Sequence, residues 1–251
     1  MSLSKGAALL LASTLAVTVS ACGTDQKSPE NPKPVLGIQL GGTDPCDVAA
    51  DEVFSQASAV AQRGLREAGY RTLFVPCPHP VAALTDPQLL QGLKALDLKV
   101  ETVAPDDPRM SYPIAADAVV TILRTMISRN VMLARSLIFT GDLNLIADEN
   151  VAAMTNRDVL EVALDKRAEP GAQLGAGESF SRAVGEKGLV VSLTNSATSP
   201  GPVSVPIADL NLAGDDSVPA TDLWTGTRIM SSGGRLTVTL SDGDTALLRI
   251  G

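Results

Sequence analysis

The chain is poor in aromatic residues. Of 251 residues only 3% are Phe, Tyr or Trp, and there is one tryptophan and one histidine. Saccharide clefts usually set flat apolar rings beside polar groups, so this is a thin stock for one. A single histidine, His79, with no Cys–His cluster beside it leaves little from which to build a zinc site, and no metal or cofactor is expected. Basic runs are absent, and 28 acidic residues outweigh 20 basic ones, which argues against nucleic acid as a partner. Beyond the first twenty residues no apolar run is long enough to cross a bilayer. Nothing like Gly-x-Ser-x-Gly supports a serine hydrolase. What remains is a chain with 45% hydrophobic residues and net charge −8, enough for one large domain or two smaller ones with real cores.

The first residues read as a processing segment. Lys5 gives a short positive region, and Ala7–Val19 is apolar but too short to span a membrane in the mature protein. The segment ends Val19-Ser20-Ala21-Cys22, which resembles the bacterial lipobox. The resemblance implies removal of residues 1–21 as a lipoprotein signal peptide and lipidation of the Cys22 thiol, palmitate included. A plain secretory signal with an incidental cysteine is the other reading. Lipidation would make the membrane a partner through Cys22 and place the rest on its extracytoplasmic side. Residues 22–34 are polar and Pro-rich, as expected of a disordered tether.

From residue 35 the pattern is strand, helix, strand. Val35–Leu40 and Arg71–Val75 read as strands around a helix over Ala49–Ala68, whose buried face is Val53, Ala57, Val60, Gly64, Leu65 and Ala68, with Gly69 as its C-cap. Thr85-Asp86-Pro87 opens a helix over Leu89–Leu96, and Lys99–Val103 is a third strand. Ala104–Pro113 is a loop. Ile114–Met132 reads as one helix with Ala115, Val119, Ile122, Leu123, Met126 and Ile127 on its buried side. Leu137–Phe139 is a short buried strand broken by Gly141-Asp142, and Asn156 N-caps the last helix. This rhythm predicts a parallel sheet. From residue 172 glycines and short strands take over. Leu236, Val238 and Leu240 alternate with Thr237 and Thr239, and Val190, Ser192 and Thr194 with Val191, Leu193 and Asn195, so a β-sandwich is expected.

Three stretches carry a family resemblance: SLIFTGDL with AAMTNRDVLEV; GIQLGGTDPCDV with GLREAGYRTLFVPCPHP; and LVVSLTNSA, ATDLWTGT and DTALLRIG. They resemble, in turn, the last strand and closing helices, the opening βα segment and the C-terminal antiparallel domain of glycoside hydrolase family 27, the α-galactosidases. The resemblance implies a truncated (β/α) TIM-barrel-like domain over residues 35–171, followed by a C-terminal antiparallel β-sandwich over 172–251, an α/β plus all-β chain. It also implies losses. The family has tryptophans where Ile38 and Gly41 stand, and galactose-binding aspartates where Pro76 and Cys77 stand. The fourth to seventh barrel strands, with the nucleophile preceded by Lys-Tyr and the acid/base aspartate, would have to fit between the third strand and the last. Only Ala104–Leu133 lies there, too little for four βα units.

Weak replacement candidates for catalysis are Asp106, Asp107 and Asp142, with Glu101 on the third strand, all near the strand ends where barrel enzymes keep their chemistry. Their other reading is solvated loop and turn-capping residues. His79, between two prolines, reads as an exposed turn, and Trp224 as packed in or beside the core rather than a sugar platform. With Cys22 lipidated, Cys46 and Cys77 remain. A pair in an exported protein is expected to be oxidised, and the family resemblance implies a disulfide here, with its second cysteine displaced by one position. An open barrel leaves parallel edges, to be covered by the 114–132 helix or by a second protomer in a homodimer. The expected function is an envelope lipoprotein related to α-galactosidases, without hydrolysis, that binds carbohydrate or acts as a scaffold. The alternatives are a glycosidase with relocated carboxylates and a purely structural envelope protein.

Overall fold

The computed structural model describes residues 33–41, 44–175, 177–212 and 217–251. The expected signal peptide, Cys22 and the expected tether before Lys33 lie outside the described residues.

The first half builds a parallel sheet. In chain order it runs β1 (Leu36–Gln39), α1 (Ala50–Gln62), β2 (Thr72–Pro76), α2 (Pro87–Ala95), β3 (Lys99–Val103), β4 (Ile114–Ala115), α3 (Val120–Met132), β5 (Leu137–Thr140), α4 (Asp148–Met154) and α5 (Arg157–Ala163). The strand order is β3-β2-β1-β5-β4, every pair parallel. The first strand thus lies between the second and the last long one, as neighbours do around a closed barrel. Here, among the described residues, the sheet stops at β3 and β4 and stays open.

Local chemistry sets the element ends. Val53, Ala57 and Val60 form the buried stripe of α1. The helix does not run on to Ala68 as the periodicity predicts. It stops at Arg63 because Gly64 takes φ +75°, a left-handed conformation that glycine adopts at little cost. The Asp86 side chain accepts from the Gln88 and Leu89 amides at 2.7 and 3.0 Å, and Pro87 sits at the first position of α2. Asn156 caps α5 by accepting from Val159 N at 3.1 Å.

The predicted helix from Ile114 is the largest departure. Ile114 and Ala115 instead form β4, beside Phe139 and Thr140 of β5, and α3 begins only at Val120. The open edge of β5 offers backbone partners that a helix would leave unused, and β-branched Ile114 suits that surface. Consequently Val119 and Ile122 are 66% and 51% exposed rather than buried.

The second half is antiparallel: β6 (Ala172–Gln173), β7 (Phe180–Val184), β8 (Gly188–Thr194), β9 (Gly201–Pro206), β10 (Pro219–Asp222), β11 (Arg228–Met230), β12 (Arg235–Leu240) and β13 (Thr245–Ile250). Six strands form one sheet, ordered β11-β10-β13-β8-β7-β6, and β9 and β12 pair as its opposing layer. In β12, Leu236 and Val238 are buried and Thr237 and Thr239 exposed, as alternation requires. In β8, Val190 to Leu193 are all buried, because that strand is covered on both faces. Val191 and Leu193 pack with Val205 and Leu236 between the sheets, while Val190 and Leu247 join the core of the helices.

Polar contacts stitch this seam. The Thr125 hydroxyl donates to Gly243 O at 2.7 Å, Trp224 Nε1 donates to Ser128 Oγ at 3.0 Å, and Asn156 Nδ2 donates to Leu223 O at 3.0 Å. Trp224 is therefore half-buried against the core, as its sequence context indicated.

Candidate functional site at the carboxyl end of the sheet

Parallel strands present their carboxyl ends together, and the loops that follow them make one surface. After β1 the chain turns at Gly41, φ +95°, where a Cβ would stand 2.6 Å from Pro45 Cα. After β5 it turns at Gly141, φ +114°. Between these turns and the first two turns of α1 lies a cavity of about 340 Å³ lined by Gln39, Glu52, Ser55, Gln56 and Asp142, with Leu40 and the two turn glycines.

A hydrogen-bond network shapes its wall. Gln56 is buried and donates from Nε2 to Asp142 Oδ1 at 2.7 Å, while its Oε1 accepts from Leu143 N at 3.0 Å. Asn144 adds its amide and side-chain donors to the same Asp142 oxygen, at 3.0 and 2.9 Å, and its side chain also donates to Ser55 Oγ at 3.2 Å. These donors, Gln56 first and then Asn144, hold the Asp142 carboxyl below the usual carboxylate range. Asp142 is thus an ionised turn residue tied to α1.

The other acids fall in a separate cluster. Asp107 caps a short 3-10 turn, accepting from Arg109 N at 2.8 Å, and its carboxylate also takes the Arg109 guanidinium, with Nη2 at 2.7 Å from Oδ2. Arg109 Nη2 also donates to Glu101 Oε1 at 2.9 Å. The arginine holds Asp107 well below its ordinary pKa. Arg109 in turn lies over the Phe74 ring, 5.1 Å from its centroid. Asp106 is exposed in the adjoining loop, and His79 is exposed between its prolines. The structure brings Glu101 and Asp107 together and leaves Asp106 and Asp142 outside that cluster.

The concave side of the sheet is filled. Phe74, Val103, Met110 and Ile138 form their own small core there. Phe74 lies across β1 because residue 37 is glycine; a Cβ there would stand 2.3 Å from the ring. The 104–113 loop folds back to supply Met110, so side chains occupy the space that further strands would line. Cys46 and Cys77 are bonded, with Cα atoms 5.1 Å apart, and join the loop after β1 to the end of β2, as expected. Among the described residues no group of three or more His, Cys, Asp or Glu is placed to hold a metal, and no helix is long and apolar enough to cross a membrane.

Sequence reading missed Gln39, Glu52, Ser55 and Gln56. The last three follow an i, i+3, i+4 spacing directly after the first strand and loop, a signal that was present but reads equally as the wet face of an amphipathic helix.

Residues 175–250 match the family model described as the alpha galactosidase C-terminal beta sandwich domain. Among solved structures, the chain is similar to α-galactosidase I from Mortierella vinacea, with TM-score 0.66, 14% identity, and coverage of 87% of this chain and 96% of that one. An α-galactosidase from Saccharomyces cerevisiae aligns with TM-score 0.65 and 10% identity, covering 87% and 97%. A putative α-galactosidase/melibiase from Bacteroides fragilis gives 0.67 and 10%, covering 87% and 79%. No curated protein matches the sequence. Sequence thus ties residues 175–250 to the α-galactosidase sandwich, and over the rest of the chain the likeness is one of fold.

Proposed function

We propose that this relative of the α-galactosidases does not cleave glycosides and serves as a lipid-anchored envelope module that binds carbohydrate or scaffolds other components. One observation carries the first part: the half-buried carboxylates of the concave side, Glu101 and Asp107, are both committed to Arg109. A retaining glycosidase needs two carboxyls about 5–5.5 Å apart, one of them protonated at working pH by a raised pKa. Asp107 and Asp142 are shifted the opposite way. Neither can hold a proton for the leaving group near neutrality.

A second reading has its own observation. Glu52 and Asp142 line the same open cavity and are the carboxyl pair a relocated chemistry would use. Hydrolysis of aryl α-galactosides by purified protein separates the two. Release of the aryl alcohol at the rate of a protein-free blank is expected. Turnover that disappears in Glu52→Gln or Asp142→Asn would establish the relocated-carboxylate enzyme instead. The carbohydrate-binding part is tested by titration calorimetry with galactosides, where saturable heat lost in Gln56→Ala supports it and silence leaves the scaffold.

The envelope part rests on Val19-Ser20-Ala21-Cys22 and is supported by the Cys46–Cys77 bond, which fits an oxidising compartment. Cys22→Ala should carry no acyl chain by mass spectrometry and should move from the membrane to the soluble fraction.

A further inference from the structure

The parallel sheet has a basic end and an acidic end. Register fixes the basic one: Thr72 lies beside both Gly37 and Lys99, and Leu36 beside Leu137. Lys99 opening β3, Arg71 just before β2, Lys33 before β1 and Arg135 before β5 therefore form a row at the amino ends of four adjacent strands. With strands about 4.8 Å apart, the row is about 15 Å wide across the sheet and staggered along the strands, Lys33 lying four positions before the level of Gly37, Thr72 and Lys99. Lys33, Arg71 and Lys99 are exposed. Arg135 is half-buried and lies over the exposed Tyr112 ring, 3.5 Å from its centroid.

Nearby acids offset this row only in part. Asp97 pairs with Arg71, Glu67 pairs with Arg66, and Glu101 is 3.5 Å from Lys99. Asp97 and Glu101 cancel much of the field of Arg71 and Lys99 at a distance, so Lys33 and Arg135 carry most of the row's net positive charge. The loops at the opposite, carboxyl end carry Asp44, Asp47, Asp106, Asp117 and Asp142. Helix dipoles explain acids in first turns, such as Asp51 and Asp148. They account for Arg135, whose amide bonds to Asn130 O in the C-terminal cap of α3, but not for Lys33, which precedes α1.

The chain leaves the domain among these cations. Cys22 lies within about 40 Å of contour from Lys33, even fully extended. We propose that the amino end of the sheet is seated on anionic lipid headgroups, so that the cavity at the carboxyl end points away from the membrane. This rests on the lipid anchor proposed above. The anchor supplies affinity, and the basic row supplies orientation, because anionic headgroups attract Lys and Arg only within about a Debye length of the surface.

The test uses the mature chain, residues 22–251, carrying Cys22→Ser so that no acyl chain contributes. It is sedimented with phosphatidylcholine vesicles with and without a minority of phosphatidylglycerol. We expect roughly tenfold stronger partition onto the anionic vesicles at low salt, lost at high salt. The preference should vanish when Arg71, Lys99 and Arg135 are all changed to Gln, with circular dichroism showing the fold intact. If that triple variant does not fold, the three single changes to Gln replace it, each expected to weaken the preference. Equal partition onto both vesicle types, or a preference that survives neutralisation of the row, overturns the proposal. Failure of the anchor reads separately: wild-type protein without acyl chains by mass spectrometry removes the tether and leaves the vesicle result standing.

Discussion

Arg182 shows how much a single side chain can escape sequence reading. It is 1% exposed and is the largest fully buried side chain among the described residues. Its Nη1 donates to Val131 O and to Val162 O, the carbonyls at the ends of α3 and α5, while Nε and Nη2 have no partner among the described residues. Burial holds its pKa below the ordinary arginine value, partly offset by Asp165 and Glu169. The two carbonyls also accept local backbone amides, so they are not orphaned when the arginine leaves. Arg182→Met should therefore be nearly neutral or stabilising, since it keeps the apolar stem and removes an incompletely partnered charge. Arg182→Ala should cost about 2–5 kcal/mol through the cavity it leaves. Urea unfolding of both variants decides whether packing or charge matters here; equal large losses would assign the role to the charge. No periodicity marks this residue, because on a strand it reads like any outward-facing arginine. Asn156 was legible, since a cap needs only a polar residue ahead of an apolar stripe.

Asp107 belongs to the same scale. Its folded pKa is depressed by Arg109, so the stability it contributes is present above its unfolded value, about 4, and is lost as pH falls through the folded value. Asp107→Asn should flatten the acid limb of a stability–pH curve below about pH 4 and lower the plateau above it. An unchanged acid limb in urea midpoints would show that the Arg109 pairing adds nothing. The sequence placed Asp107 near the right strand end but said nothing of Arg109. That partner is two residues along the chain and reaches back only because Pro108 starts a 3-10 turn.

At the scale of elements, the disulfide is the clearest dividend of reading the sequence. It closes a separation of 31 residues and pins the loop after β1 to β2. In the chain-entropy model such a loop stabilises by about 3–4 kcal/mol. Cys46→Ser with Cys77→Ser should lower stability by that amount under oxidising conditions, and reductant should have no further effect on the double variant. A loss below about 1 kcal/mol would mean the loop is held mainly by packing. Helix ends were less legible. By periodicity Gly64 falls on the buried face of α1, and its left-handed backbone instead ends the helix. The strand at Ile114 was hidden for a different reason: two residues carry no period, and only the open edge of β5 makes them a strand. The filled concave side was equally hidden, because Phe74 and Met110 meet across loops that the sequence does not fold.

At the scale of the molecule, the change from a parallel sheet with helices to antiparallel strands was readable from texture, since periodicity changes near residue 172. Their shared core was not readable. Val184, Val190, Leu223 and Leu247 of the antiparallel half pack in one cluster with the helices of the first half. The described residues form one compact unit rather than two. Each half would expose apolar surface without the other, so the two are expected to unfold together.

Trp224 turns that seam into something an optical instrument can follow. It is the only tryptophan in the chain, its indole nitrogen is held by Ser128 of α3, and the Arg124 guanidinium lies 5.8 Å from its ring centroid. All indole emission therefore originates where helix meets sandwich. Exposure to water shifts such emission to the red, so separation of the halves has its own colour. If the halves part together with the loss of secondary structure, the emission shift and far-ultraviolet dichroism will trace one denaturation curve. If the red shift comes first, the seam opens before either half melts, and the molecule is two bodies joined by a weak joint.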